Sequence, residues 1–290
     1  MRRLKILAWD SHGRYLRLLS RLAHDFYVLA RPGVAAWAPN VHLLAAGHIR
    51  RQRLDLLLFQ DEREYLDDQY ELLSPAQRRL PSIYLEHDPP REHPVDSRHV
   101  AQPDALLVHV SDFNRLMWDS GASPTRVIEP GLPDPGARYS GERARGLAAL
   151  EGLARGGRRL GLDLYRAASR SVPLELGEAP DGRYRFFFHP ARHASPGLEL
   201  VEAMMIGMPV LAPAGAGMAG VVRDGESGFV DADPARLLAA MKALLRDRGA
   251  AAVLGREARR DALERFSFAR FAADWNEALA AVAGRERLAA

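Results

Sequence analysis

Short apolar runs alternate with amphipathic stretches through the first 130 residues of the chain. Lys5-Ile6-Leu7-Ala8-Trp9 reads as a buried strand, Asp10-Ser11-His12-Gly13 as a turn, and Tyr15 to Leu22 as a helix. Leu56-Leu57-Leu58-Phe59 predicts a second strand, followed by a charged helix from Glu62 to about Leu73. Further strands are predicted at Ile83-Tyr84-Leu85, at Leu106 to Val110 and at Arg126-Val127-Ile128. Strands separated by helices require crossovers, and crossovers imply a mostly parallel sheet covered on both faces. No repeat of 20 to 50 residues interrupts this rhythm.

From Pro130 to Gly161 the composition shifts. Pro-Gly-Leu-Pro-Asp-Pro-Gly opens an Arg/Gly/Ala-rich stretch that ends Arg155-Gly156-Gly157-Arg158-Arg159, and its first half reads as an interdomain linker. Beyond it come a helix at Leu162–Ser169, an apolar run at Val172–Leu176 and the strand Tyr184-Arg185-Phe186-Phe187-Phe188. Ser195 is placed to cap a helix with Pro196 in its first turn. Leu198, Val201 and Met205 then recur at helical spacing, and Gly207 stands where a left-handed residue ends a helix. Pro209-Val210-Leu211 is a strand and Ala214-Gly215-Ala216-Gly217 a loop. Asp233-Pro234 opens a helix with Leu237, Leu238, Met241, Leu244 and Leu245 on one face. Helices Ala250–Arg265 and Phe268–Ala283 follow, the last capped by Ser267.

Composition narrows the function classes. With 47% hydrophobic and 27% charged residues the chain can bury a core. All the cations except Lys5 and Lys242 are arginines, which lifts the pI to 9.4 while the net charge stays at +3. Interspersed acids and so small a net charge make nucleic-acid binding the weakest reading. The absence of cysteine excludes disulfides, Cys-ligated zinc and thiol catalysis. No apolar stretch approaches the ~20 residues needed to cross a bilayer, and the start of the chain lacks the apolar segment of a signal peptide. These features point to a cytoplasmic protein.

Few single residues announce chemistry. Gly13 would let the backbone turn tightly beside His12 at the carboxyl edge of the sheet, where a plain turn is the simpler reading. His87 directly follows a strand, a place where open α/β sheets put functional groups, and a surface histidine fits equally well. His93, His99 and His109 lie around it with Glu86, Asp88 and Asp96, in no spacing that suits a metal. Glu202 sits mid-helix near a glycine-rich loop and a helix N-terminus. That setting suits a nucleotide, whose diphosphate would take backbone N–H groups and whose ribose would take a carboxylate. From periodicity alone, a solvated glutamate is favoured. The turn at Gly13 does not follow G-x-G-x-x-G, and no G-x-S-x-G or P-loop string is present.

Taken together, residues 186–275 resemble the C-terminal half of GT-B glycosyltransferases, family 4 in particular. The matching run is Leu200-Val201-Glu202-Ala203-Met204-Met205-Ile206-Gly207-Met208-Pro209-Val210, then Val221 to Val230, Leu244-Leu245-Arg246-Asp247 and Arg265-Phe266-Ser267. Val110-Ser111-Asp112-Phe113 and Arg126 to Gly131 extend the resemblance into the N-terminal half. It implies an α/β protein of two Rossmann-like domains with parallel sheets facing a cleft. The expected bounds are 1–135 for the acceptor-side domain and 136–266 for the donor domain. Residues 267–290 would form a helix, with Phe268, Phe271 and Trp275, packing back on the first domain.

The resemblance also implies roles. His87 would be the catalytic-site histidine that contacts the donor sugar, and Glu202 the second glutamate of E-x7-E, holding the ribose. Arg155, with Arg158 or Arg159, would bind the diphosphate. Ser195, Gly197 and Gly217 fall in the donor loops, and Gly13 with His12 in the N-terminal glycine loop. Transfer would proceed with retention, from a UDP- or GDP-type nucleotide sugar to a glycan or lipid-linked hydroxyl acceptor. The resemblance implies no metal and no other cofactor, and a bacterial role in polysaccharide biosynthesis with room for peripheral contact at the inner face of the membrane. Departures stand beside these matches. The first glutamate of E-x7-E is Ala194, the second diphosphate cation is Leu160, and between Leu176 and Tyr184 only a turn fits, so the donor domain is expected to be short of one βα unit. The alternative reading is a catalytically silent relative that binds nucleotide or a protein partner as a scaffold.

Overall fold

A computed structural model describes residues 2–29, 33–91, 97–149, 152–215 and 217–285. The chain divides into two compact units. One comprises the residues up to Glu129 together with those from Ala272, and the other runs from Pro130 to Phe271.

The first unit is built on a seven-stranded, wholly parallel sheet. Its strands are β1 (Lys5–Trp9), β2 (Asp25–Leu29), β3 (Val41–Leu43), β4 (Leu56–Phe59), β5 (Ser82–Glu86), β6 (Ala105–His109) and β7 (Thr125–Val127). They lie in the order β3-β2-β1-β4-β5-β6-β7. Alternate residues serve opposite faces, so Leu7, Trp9, Leu57, Phe59, Tyr84 and Leu107 share one buried cluster, while Ile6, Ala8, Leu58, Ile83 and Leu85 are buried outside it. Helix α1 (Gly13–Leu19) follows β1. After β4 comes a π-helical turn, Glu64–Asp68, which continues into α2 (Gln69–Leu72). Helix α3 (Asp112–Met117) is capped by Ser111, whose Oγ accepts from the Asn114 N–H at 3.1 Å.

The second unit holds five parallel strands in the order β12-β11-β10-β8-β9. These are β8 (Arg143–Ala148), β9 (Leu174–Leu176), β10 (Tyr184–Phe188), β11 (Val210–Pro213) and β12 (Gly228–Asp231). The core alternates across the sheet: Phe187, Val210 and Ala212 belong to one apolar cluster, Phe186, Phe188 and Leu211 to the other. Helices α4 (Leu162–Ser169) and α6 (Pro234–Arg246) contribute to the second cluster, α5 (Leu198–Ile206) to the first, and α7 (Arg248–Arg265) to both. Asp233 caps α6, accepting from the Ala235 N–H at 2.8 Å. Gly207 adopts φ +95° and closes α5, with the Met208 N–H donating back to Ala203 at 2.9 Å. The segment 177–183 carries the chain from β9 to β10 with no helix, as expected for a shortened unit. A crossover this short is feasible because β9 spans only three residues, roughly 10 Å, and extended chain covers about 3.3 Å per residue.

Two expectations need correction. Strand β8 lies inside the Arg/Gly/Ala-rich stretch and pairs with both β9 and β10 near the middle of the second sheet. Its sequence, Arg-Ala-Arg-Gly-Leu-Ala, has no apolar run because its first three residues are exposed and only its last three are buried. Ser195 is not the cap of α5. The helix starts at Leu198 after an extended Gly197 (φ −73°, ψ 167°), and the Glu199 carboxylate folds back to within 2.6 Å of where a Gly197 Cβ would stand. That carboxylate supplies the negative group that a capping side chain would have offered.

Helix α8 (Phe268–Arg285) begins in the second unit, where Gly131 packs on Phe271. Its later residues belong to the first, with Asn276 Oδ1 3.2 Å from His24 Nε2 and Glu277 paired with Arg126 at 2.7 Å. Trp275 is fully buried. No helix among the described residues is long and apolar enough to cross a membrane.

Candidate functional site

In a parallel sheet all carboxyl ends lie on one edge, and ligands bind beside the strands where the chain order reverses. In the first unit that reversal falls between β1 and β4, with β5 next to β4. The loops leaving these three strands carry His12 and Gly13, Gln60 and His87 respectively. The structure brings them together. The rings of His12 and His87 stack with centroids 3.9 Å apart and planes 19° apart, and Tyr15 meets His87 edge-on at 4.9 Å. Gln60 Oε1 lies 3.2 Å from His87 Nε2. Gly13 is the first residue of α1, and a Cβ there would stand 2.9 Å from Asp10 Oδ1.

Desolvation sets the charge state of the stacked pair. Burial holds the His87 imidazole well below its ordinary value, and the neighbouring His12 and Arg91 push in the same direction. Burial also lowers His12, against the pull of Asp88, Glu86 and Asp61. Both rings are therefore neutral at pH 7. Beneath them, Glu64 is almost fully buried and its Oε2 accepts from the Gln60 N–H at 2.7 Å. Burial pushes this carboxyl up to about 7.

His12, Gln60 and His87 border a cavity of about 480 Å³ within the first unit. Its far wall includes His99, which accepts from the Ala101 N–H on Nδ1 at 3.0 Å and donates from Nε2 to Glu86 at 3.1 Å. Trp118 stands against His99 and donates to the Asp88 carbonyl at 2.9 Å. Asp88 is paired with Arg91. His109, the register partner of Glu86 on β6, does not line the cavity; it is wholly buried, and burial, with His99 beside it, lowers it to about 3. His93 and Asp96 fall outside the described residues. Among the described residues, no three His, Asp or Glu side chains gather as metal ligands.

In the second unit the order reverses between β8 and β10, with β11 alongside. The loops from these strands carry Arg155, Arg158 and Arg159, then Ser195 and Gly197, then Gly217. The first two loops interlock. The Arg159 carbonyl accepts from the N–H groups of Arg192 and His193, and the Arg159 guanidinium reaches the His193 carbonyl at 3.3 Å. Arg192 makes two bonds to Asp163, at 2.7 and 2.8 Å, and Arg158 a third at 3.1 Å, so the Asp163 carboxyl is held down at about 2. Arg155 is exposed and Ser195 buried. Glu202 lies half-buried on α5, among neighbours that fill the core. Gly217, at φ +79°, opens a short 3₁₀ turn, while Ala216 falls outside the described residues.

Ala194 and Leu160, the two departures noted above, meet. Both are buried with Leu153 and Ala191 in one small apolar cluster. Sequence reasoning found the histidines but missed Gln60, Glu64, Arg192 and Asp163. Only their positions after predicted strands or at a helix start could have singled them out.

Residues 183–261 match the family model described as "Glycosyl transferases group 1". The whole chain is similar in structure to a sucrose-phosphate synthase from Thermosynechococcus elongatus, at 16% identity and a TM-score of 0.76, over 99% of this chain and 100% of that one. The fold is GT-B. Two further GT-B-like structures extend the comparison. Anabaena Alr3699/HepE, solved in complex with UDP-glucose, is 14% identical with a TM-score of 0.70, over 96% of this chain and 100% of that one. AviGT4, a glycosyltransferase involved in avilamycin A biosynthesis, is 16% identical with a TM-score of 0.60, over 97% and 98%. No curated protein sequence matches the chain. Within the GT-B fold, the family-matched segment runs from β10 into α7 and contains Ser195, Gly197, Glu202 and Gly217, whereas the three arginines precede it.

Proposed function

We propose that this chain is a retaining, family 4-type glycosyltransferase that moves a sugar from a UDP- or GDP-type donor to a hydroxyl on a glycan or lipid-linked acceptor, in bacterial glycan assembly at or near the inner face of the membrane. The observation that carries the reading is the match of residues 183–261 to group 1 glycosyl transferases, because that segment contains Glu202 and two of the three loops at the carboxyl edge of the second sheet. A structural neighbour solved with UDP-glucose supports the donor class.

In this reading Glu202 accepts hydrogen bonds from the ribose hydroxyls. Arg155 and Arg159 donate to the diphosphate, where charge-assisted bonds stabilise the leaving nucleotide as its negative charge grows. Arg158 is shared with Asp163 and contributes less. Neutral His87 orients the sugar and the acceptor hydroxyl beside the first-unit cavity. No metal takes part, so a chelator leaves turnover unchanged.

One observation favours the silent-scaffold reading. Ala194 and Leu160 fill with apolar carbon a place where the transferase reading needs charged donor contacts, and losing one such contact costs about 2–4 kcal/mol in the transition state. Calorimetric titration with UDP, GDP and their sugar conjugates tests donor binding, and release of the nucleotide from a bound conjugate in the presence of acceptor separates the two readings. Transferase function calls for micromolar binding of one nucleotide, weakened at least about tenfold by Glu202→Ala, which corresponds to roughly 1.4 kcal/mol. Absence of binding to every member of the panel would refute it.

A further inference from the structure

Gln60 is a buried side chain with no room for ambiguity in its hydrogen bonds. One end of its carboxamide lies 3.3 Å from the Trp9 backbone carbonyl, which can only accept. That end is therefore the NH₂ group, and the other end, 3.2 Å from His87 Nε2, is the oxygen. A carboxamide oxygen carries no hydrogen. The proton of the neutral His87 ring must then sit on Nε2, and Nδ1 is left as a lone pair. Turning the carboxamide over would set its oxygen against the Trp9 oxygen, exchanging a hydrogen bond for a repulsion between two acceptors.

The surroundings hold this arrangement. Glu64 Oε2 fixes the Gln60 backbone N–H at 2.7 Å, at the start of a π-helical turn, a feature frequent at functional sites. His12 lies flat against one side of the His87 ring and Tyr15 meets it edge-on, which limits its rotation. The charged groups facing the histidine pair are Asp88, Glu86 and Asp61, opposed by Arg91, and desolvation outweighs them all.

We propose that Gln60 is a positioning residue that locks His87 in its Nε2–H tautomer, so that Nδ1 accepts the hydrogen of a substrate hydroxyl at the rim of the first-unit cavity. The hydroxyl part of this inference rests on the transferase reading above; the tautomer does not. His87 accepts a hydrogen bond here and donates none to substrate from its ring.

Two-bond proton–nitrogen correlation spectra of protein labelled with ¹⁵N-histidine read the tautomer directly. His87 is identified among the ten histidines by its loss in His87→Gln. The expected pattern is a protonated Nε2 and a bare Nδ1, retained in Gln60→Glu, whose carboxylate still accepts and raises the His87 pKa. In Gln60→Leu the Nδ1–H form appears, while the other histidine signals stay in place and report the fold. Turnover by Gln60→Leu falls about 10²-fold, the lower end of what a misplaced acid–base group costs, with acceptor KM within about threefold. A protonated Nδ1 in the wild-type protein overturns the proposal, and so does a His87 titration unmoved by Gln60→Glu. Should the tautomer hold while no nucleotide sugar is bound or consumed, the transferase reading fails and the assignment of the ring stands.

Discussion

Glu64 shows how far a residue's setting can depart from its sequence context. In Asp61-Glu62-Arg63-Glu64 it reads as one more charge on a solvated helix, yet it is 3% exposed. Its carboxyl, raised from 4.5 to about 7, keeps a proton in the folded chain that the unfolded chain has already released. The folded state binds more protons across that window, so stability contributed below pH 4.5 declines as pH rises toward 7, by about 3 kcal/mol at most. Glu64→Gln can still accept the Gln60 N–H and carries no charge to bury. Urea denaturation at pH 4.5 and pH 8 is expected to show the variant losing less stability, or gaining more, over that interval than the wild type. Equal differences in the two proteins would mean that Glu64 is ionised normally. The buried His12, His24, His87, His109 and His189 are lowered by burial and give an opposite slope, but it is common to both proteins. His87 was legible as a candidate because it follows a strand. Gln60 was not, since nothing in a lone glutamine marks the partner it will meet from another loop.

At the level of elements, the apolar runs of β1, β4 and β10 were legible because strands buried on both faces tolerate little else. The exception within β10 is instructive. Arg185 is buried among phenylalanines, and its guanidinium donates to the Leu244 and Leu245 carbonyls at 3.0 and 2.8 Å and to Gly141 at 2.8 Å. It thus serves the carbonyl end of α6, where a cation also complements the helix dipole. Arg185→Met removes a charged donor from three carbonyls, two of its bonds buried and one part-buried, and is expected to cost about 2–4 kcal/mol, read as a lower urea midpoint with an unchanged slope. Arg185→Lys recovers only part of this, because an ammonium lacks the fork that spans separate acceptors. A loss below about 0.5 kcal/mol would show that α6 needs no such partner. Strand β8 escaped the sequence reading for the converse reason: half of it is exposed, and its buried half is too small to form a pattern. The bounds of α5, Leu198–Ile206, were legible, but its cap was misassigned because a serine before a proline signals a cap only if the helix starts there, and here it starts after Gly197.

Across the whole molecule, the parallel sheets followed from the alternation of strands and helices, whereas the missing excursion between β9 and β10 was legible only through the family resemblance. Site residues were harder, since they come from loops of three adjacent strands in each unit and share no motif along the chain. The linker region also hid a feature of larger scale. Pro130–Phe271 is continuous, whereas the first unit is completed only by residues from Ala272 onward, among them the fully buried Trp275.

That arrangement sets a schedule for synthesis. The second unit has every residue it needs as soon as Phe271 clears the ribosome, and a fragment spanning 130–271 is expected to fold alone with a cooperative thermal transition. The first unit, although begun earlier, must wait for the end of α8 with the seat of Trp275 and the His24 contact unfilled. The part of the chain that emerges first is the last to be finished, and through that interval its open apolar seat is the surface on which a chaperone, or an unwanted neighbour, would settle.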